Sequence, residues 1–283
     1  MMFFKMQGLG NDYVYIDCIN GKEPVDIKNL AQKLSDRHFG VGSDGLILLC
    51  KSKVADLKMR MFNSDGSEAQ MCGNGIRCVA KLAYELGLIC NEITTIETLS
   101  GIKSLKMNIV KGKVKNVEVD MGEPILEIGR FPIIQKENVK VENKKITANL
   151  KAYGQEFELT CVSMGNPHAI TFVKNLNDLK IDKIGSDLEK SSIFPEKSNI
   201  EFVEIVDEEN IKVRVWERGT GETLACGTGA CGAVVASCLN NYTKRKVKVR
   251  LLGGNLDIDW KSNNHIYMTG PAVTVFKGEW INE

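Results

Sequence analysis

Apolar and polar residues alternate with a period of two along most of the chain, and the period lengthens to three and four in a few stretches. The first regime predicts half-buried strands and the second predicts helices with one apolar face. A strand is expected over 13–17, after the tight turn Gly8-Leu9-Gly10-Asn11-Asp12. Asp26 can cap a helix carrying Ile27, Leu30, Ala31 and Leu34, which Gly40 would close. Leu46 to Leu49 reads as a short buried strand. Leu57, Met59 and Met61 then alternate with Lys58 and Arg60 into Asn63 and the Asp65-Gly66 turn. A helical run follows with Ile76, Val79, Ala80, Ala83 and Leu86 on one face, and Gly87 is placed to end it. Three β-rich runs come next, over 93–99, 102–110 and 114–121, with Lys111-Gly112 as a hairpin turn.

The same order returns after Gly122-Glu123-Pro124. Strands are expected over 146–152, 157–164 and 169–173, a helix over 178–190, and a hairpin from 200–206 and 211–216. A second helical run with Ala230, Ala233, Val234, Ala236 and Cys238 is small and apolar nearly all round, the texture of a helix buried on most sides. Strands over 247–252, 256–260, 265–268 and 272–276 complete the chain. The return is visible residue by residue. Gly10-Asn11 matches Gly165-Asn166 at a shift of 155, and Met59-Arg60-Met61-Phe62-Asn63 matches Val213-Arg214-Val215-Trp216-Glu217 at a shift of 154. Glu68 then matches Glu222, and Cys72 matches Cys226. Each half is mostly strands, many lacking a helix between them, around one central buried helix. That predicts an α+β fold of two pseudo-symmetric halves, each a curled, mostly antiparallel sheet around a central helix.

Composition sets outer limits on this picture. A chain of 283 residues suits about two domains. Its net charge of +1 steers it to neither nucleic acid nor an anionic membrane. No apolar run reaches the roughly 18 residues of a membrane span. The N-terminus carries Lys5 and turns polar by Asn11, so no signal peptide is expected. The nine cysteines then point to free thiols in a reducing, cytoplasmic compartment. Cys18, Cys50, Cys90, Cys161 and Cys238 lie in or beside apolar runs and read as small buried hydrophobes.

Two cysteines stand apart. Met71-Cys72-Gly73-Asn74-Gly75-Ile76-Arg77-Cys78 and Ala225-Cys226-Gly227-Thr228-Gly229-Ala230-Cys231-Gly232 each place Cys-Gly-x-Gly at the start of a buried helix. A helix start carries unsatisfied N–H groups and about half a positive charge. A thiol there is expected to gain thiolate character, and the glycines let a carboxylate approach the N–H groups. Gly227 to Gly232 also spells G-x-G-x-x-G. The βαβ unit and the acidic residue that a dinucleotide site needs are missing. A zinc site from Cys72, Cys78, Cys226 and Cys231 is disfavoured too. Positions five or six apart on a helix diverge by about 120–140°, which leaves Cys78 and Cys231 as packing residues. No C-x-x-C motif supports a thioredoxin-like role.

Two opposed thiols suit the inversion of a carbon centre. One removes a proton from one face as thiolate, and the other returns a proton to the opposite face. Helix N-termini aimed at an adjoining carboxylate would hold the developing negative charge. The pattern therefore predicts racemisation or epimerisation α to a carboxylate without an imine-forming cofactor or a metal.

Met-Cys-Gly-Asn-Gly-Ile-Arg-Cys, Ala-Cys-Gly-Thr-Gly-Ala-Cys and the intervening Gly165-Asn166-Pro167-His168 resemble the diaminopimelate epimerase family over nearly the whole chain. The related proline racemases carry histidine where this chain has Asn74, and the related phenazine-type isomerases lack the cysteine pair. The resemblance implies cofactor-independent interconversion of LL- and meso-diaminopimelate in lysine and peptidoglycan precursor biosynthesis. Cys72 and Cys226 would be base and acid. Gly73, Asn74, Gly227 and Thr228 would present N–H groups to the reacting carboxylate, and Asn11, Asn63, Asn166, Asn199, Glu217 and Arg218 would hold the rest of the substrate. His168 and Glu217 would adjust the thiols. It also implies a homodimer, a first half of 1–121 plus 271–283, a second half of 122–270, a final strand that returns to the first half, and an active site in the cleft between the halves.

Each residue has a plainer reading beside this one. Asn11 and Asn166 sit at turns, where asparagine serves the backbone. Asn199 can start a strand, Glu217-Arg218 can be a solvated pair, and His168 can be a packing histidine. Gly45 departs from the pattern, because some family members carry a substrate-touching glutamine there. The rival functions are a proline or hydroxyproline racemase on the same fold and a non-catalytic amino-acid-binding module.

Overall fold

The structure, a computed structural model, describes residues 1–281. It is built mainly of strands and divides into two compact units, Met1–Asp120 with the chain from Thr269 onward, and Met121–Met268.

The first unit begins with a strand that the alternation does not announce, β1 (Met2–Gly8). It continues through β2 (Asn11–Asp17), α1 (Ile27–Ser35), β3 (Gly45–Cys50), β4 (Leu57–Asn63), the short β5 (Glu68–Ala69), α2 (Gly73–Glu85), β6 (Ile93–Thr98), β7 (Gly101–Val110) and β8 (Lys113–Gly122). β3 is buried at every position. It lies between β2, its parallel partner, and β4, its antiparallel one, and a strand covered on both faces reads as a continuous apolar run. Asp26 caps α1 by accepting from Asn29 N. That helix stops at Ser35, sooner than Gly40 suggests, because Asp36 turns extended at its end and Gly40 N then reaches back to Asp36 O at 3.0 Å. Gly87 does end α2. At φ +71° it supplies the left-handed residue of a helix stop, with Gly87 N bonded to Tyr84 O and Leu88 N to Ala83 O.

The second unit holds β9 (Val139–Glu142), β10 (Lys145–Ala152), β11 (Gln155–Ser163), β12 (Pro167–Phe172), α3 (Ile181–Glu189), β13 (Asn199–Asp207), β14 (Asn210–Glu217), β15 (Gly221–Thr223), α4 (Gly227–Leu239), β16 (Lys246–Leu251), β17 (Gly254–Trp260) and β18 (Ile266–Pro271). β12 runs parallel to β13, β13 antiparallel to β14, and β14 parallel to β16. That repeats β2, β3, β4 and β6 in the first unit. α4 is buried from Gly229 through Ser237, as its small apolar sequence requires, and it packs against β11, β12, β13 and β17.

The final strand, β19 (Val273–Glu279), pairs antiparallel with β1 and so belongs to the first unit. One more repeated device fixes each cysteine helix. Arg60 on β4 forks onto Glu68 on β5, with Nε–Oε1 2.8 Å and Nη2–Oε2 3.1 Å. Arg214 on β14 forks onto Glu222 on β15 at 2.6 and 2.9 Å. Such two-point contacts set orientation as well as distance. They anchor the short hairpin whose second strand runs into Cys72 in one unit and Cys226 in the other.

Candidate active site

In both units the cysteine is the N-cap residue of its helix. Cys72 has extended backbone (φ −131°, ψ 121°) and its Sγ accepts from Gly75 N at 3.3 Å. Cys226 has φ −114°, ψ 116°, and its Sγ accepts from Gly229 N at 3.4 Å. A sulfur thus takes the place of the side-chain oxygen that usually satisfies the N3 donor. The N–H groups of Gly73, Asn74, Gly227 and Thr228 lie in the first turns, where a helix presents donors without intrahelical partners.

Cys72 lies against Asn11 of β2. Its thiol donates to Asn11 Oδ1 at 3.1 Å, and Asn11 Nδ2 donates to Asp44 at 2.8 Å, which fixes the carboxamide with its oxygen toward sulfur. Asp44 is itself gripped by Arg37, which also reaches Asp12. Tyr13 is buried, and burial together with the Cys72 thiolate pushes its phenol well above the ordinary range. Asn63, at the end of β4, donates to Ser67 Oγ at 3.0 Å. The Asn74 side chain is buried, and its Oδ1 accepts from Arg77 Nη2 at 2.8 Å. Arg77 has no solvent exposure, and it also donates to Gly73 O and Pro271 O at 3.0 and 3.1 Å. It staples the Cys72 loop, a role the residue order gave no reason to assign.

Around Cys226 the partners are charged. Thr228 Oγ1 lies 3.4 Å from its sulfur. His168 is fully buried. Its Nε2 lies 3.1 Å from Asn166 Oδ1, and its Nδ1 lies 2.6 Å from Glu201 Oε1. Glu217 accepts from Thr223 Oγ1 at 2.5 Å, and burial raises its carboxyl above the usual range. Asn199 ties two segments together. Its Nδ2 donates to Pro167 O at 2.8 Å and its Oδ1 accepts from Arg218 N at 2.9 Å. The Arg218 guanidinium is exposed and donates to Glu196 O at 2.8 Å. Among the described residues, no group of three His, Cys, Asp or Glu side chains is disposed to hold a metal ion.

The structure corrects two expectations. The helix start was expected to favour thiolate, yet burial and the nearby Glu217 and Glu201 carboxylates push the Cys226 thiol well above its ordinary value. Desolvation of an anion outweighs the partial charge of a helix end when the sulfur is almost wholly enclosed. Cys90 is exposed, and Cys18 and Cys238 are half-buried, so only Cys50 and Cys161 of that set are buried hydrophobes. Gly45 is dictated by packing, since a Cβ there would lie 2.1 Å from Phe62 O and 2.9 Å from Tyr13 Cε1. Cys78 and Cys231 are fully buried, as packing residues should be.

Glu201 is the functional candidate that sequence reading missed. Its signal is a lone charge inside the apolar run Ile200-Glu201-Phe202-Val203, at the position where the 154-residue shift puts Ile47 in the first half.

The family model described as diaminopimelate epimerase matches residues 3–127 and 160–275. The diaminopimelate epimerase of Acetivibrio thermocellus is 54% identical over 282 residues, covering 99% of this chain and 98% of the relative. That of Methanococcus maripaludis is 55% identical, covering 99% of both. Among solved structures, a phenazine biosynthesis protein from Bacillus anthracis shares the fold with a TM-score of 0.71 at 19% identity, covering 100% of this chain and 99% of the other. A hydroxyproline epimerase from Agrobacterium vitis does so at 0.66 and 15%, covering 98% and 91%. At whole-chain identities above one half, with a cysteine capping each of two repeated helices, this chain belongs to the diaminopimelate epimerase family.

Proposed function

We propose that the chain interconverts LL- and meso-2,6-diaminopimelate by proton transfer at the α-carbon, with Cys72 and Cys226 as the catalytic pair. One observation carries the reading. The same cap occurs twice, each sulfur sitting at a helix start among N–H groups that can receive a carboxylate. In the forward step a thiolate takes the α-proton, and the C–H electrons remain on carbon, delocalised into the carboxylate. A thiol on the opposite face then gives its proton to that carbon. The two sulfurs end with their roles exchanged, which is what the reverse reaction requires.

Cys226, kept protonated by burial and by Glu217 and Glu201, is the acid of the resting enzyme, and Cys72 is the base. Asn11, whose carboxamide is fixed by Asp44, orients the Cys72 side chain. The N–H groups of Gly73, Asn74, Gly227 and Thr228 take the reacting carboxylate. Asn63, Asn166, Asn199, Glu217 and Arg218 hold the remainder, with the planar guanidinium of Arg218 suited to the distal carboxylate. His168 and Glu217 tune Cys226. The names of the relatives support diaminopimelate as substrate. Isomerase activity of this kind, without a cofactor, belongs to lysine and peptidoglycan precursor synthesis in the cytoplasm, in a homodimer. Among the described residues no helix is long and apolar enough to cross a membrane.

The test is proton NMR of LL-diaminopimelate with reduced protein in D2O, with L-proline in parallel. Deuterium at the α-carbon and meso product are expected from diaminopimelate alone. Replacing either Cys72 or Cys226 by alanine should cost at least about 10²–10⁴-fold, the usual contribution of a positioned acid or base. Exchange with proline only would keep the two-thiol chemistry and overturn the substrate. No exchange with either, in protein with free thiols, would sink the reading.

A further inference from the structure

The two units differ at a point where their repeat would have them agree. The β2–β3 pair sets Tyr13 opposite Gly45 and Tyr15 opposite Ile47. The β12–β13 pair sets His168 opposite Asn199 and Ile170 opposite Glu201. The second residue pair lies under the first turn of the cysteine helix in each unit. A Cβ on Gly75 would lie 2.7 Å from Ile47 Cδ1, and one on Gly229 would lie 2.6 Å from Glu201 Oε1. A methyl group therefore supports the Cys72 helix where a carboxylate supports the Cys226 helix. Packing alone is met by isoleucine, as the first unit shows. A buried carboxylate is costly unless it is paired, so its presence calls for a reason other than packing.

The surroundings supply one. Glu201 and His168 both have no solvent exposure. Glu201 Oε1 lies 2.6 Å from His168 Nδ1, and its Oε2 is buried with no hydrogen-bond partner among the described residues. On the other side of the ring, Nε2 faces Asn166 Oδ1 at 3.1 Å. A ring flanked by an oxygen acceptor at each nitrogen hydrogen-bonds to both only when both nitrogens carry a proton. That form is a cation, and in a buried site it needs an anion in contact. We propose that Glu201 is a positioning residue whose buried carboxylate holds His168 as an imidazolium beside Glu217, an ion pair built into the unit of Cys226 at the place where the unit of Cys72 has Tyr13 and Ile47.

The inference rests on the reading of Cys226 as a catalytic acid and base. Glu201 makes no hydrogen bond to sulfur; it acts through His168 and through its own charge on Cys226. The titratable groups that face His168 are Glu201 from β13 and Glu217 from the end of β14, and the same two carboxylates act on Cys226 of α4. Neighbouring β11 sets Val162 opposite His168 and carries Cys161 next to it. The positive ring favours ionised Glu217 and so opposes the rise that burial imposes on that carboxyl. Loss of the Glu201 charge removes the anion in contact with the ring and changes the field at Glu217 and Cys226.

The experiment compares the full chain with Glu201→Gln, which keeps the shape and an acceptor oxygen but removes the charge. Two readouts are taken, the ring-nitrogen shifts of ¹⁵N-labelled histidine, assigned by their loss in His168→Gln, and the pH profile of diaminopimelate epimerisation. In the unsubstituted protein at pH 8, both His168 nitrogens should give protonated shifts. In Glu201→Gln the ring should be neutral at that pH. The alkaline limb of kcat/KM should then move to lower pH by about one unit or more, a roughly tenfold loss on the limb, with KM nearly unchanged. A purely structural role would scale the profile without moving it, and that result overturns the proposal. So does a neutral His168 ring in the unsubstituted protein, a measurement that stands even if the variant fails to fold. The ring shifts do not depend on turnover. Epimerisation that survives Cys226→Ala would therefore remove the catalytic reading while leaving the ion pair to be judged separately.

Discussion

Arg77 shows how much a single side chain can carry. It is fully buried on α2, and its three nitrogens reach Pro271 O, Gly73 O and Asn74 Oδ1. Lysine offers donors from one point and cannot span three acceptors on different segments. Arg77→Lys should lower the unfolding free energy by about 2–5 kcal/mol, the range for stranding buried polar partners of a charge, and chemical denaturation reads it directly. Cys161 makes a different statement at the same scale. Burial pushes its thiol up to about 12 from an ordinary 9.0. The folded chain thus keeps a proton that the unfolded chain releases, and its contribution to stability is full below pH 9 and lost as pH climbs toward 12. Stability should fall across that window by about 1.4 kcal/mol more per pH unit than in Cys161→Ala, measured by denaturant titration at pH 8, 9, 10 and 11. The special standing of Cys72 and Cys226 was legible because each sits in a repeated context. The protonation bias of Cys226 was not, since it depends on enclosure and on Glu201 and Glu217, which lie far away along the chain.

At the scale of elements, the cysteine helices are alike in form and unlike in support. Glycine to alanine inside a helix ordinarily gains about 0.5–1 kcal/mol. Neither Gly75 nor Gly229 should show that gain, and they should differ from each other. At Gly75 the new methyl meets the end of the Ile47 side chain, which can turn aside. At Gly229 it meets the Glu201 carboxylate, whose other neighbour is His168. Gly75→Ala should therefore keep most activity, while Gly229→Ala loses about 10-fold or more in kcat/KM, by analogy with displaced supporting ligands elsewhere. Equal losses in assays of the two purified variants would count against this asymmetry. The helices and most strands could be read from periodicity, and Gly87 was rightly placed as a stop. β1 could not. Met2-Phe3-Phe4-Lys5-Met6 has no clean alternation, because β1 buries residues on both faces, Phe3 and Lys5 on one and Met6 on the other.

At the scale of the whole molecule, β19 joins the chain's end to its beginning. It pairs with β1 from Met2–Glu279 to Gln7–Val273, and Pro271 just before it accepts from Arg77. A chain cut after Pro271 should leave β1 as an exposed edge and lose cooperative unfolding of the first unit, with aggregation in size-exclusion chromatography. A single sharp melt with native elution would show that β19 is dispensable. The sequence by itself determined the α+β class, the internal repeat, the two capping cysteines and the family, because each is written in local spacing or in repetition at a fixed shift. Only the tertiary structure decided which charges act on Cys226, why Gly45 admits no side chain, and where the buried Arg77 and Glu201 find their partners. Those properties arise where residues distant in sequence share a buried volume, and there desolvation and contact override what any local segment can express.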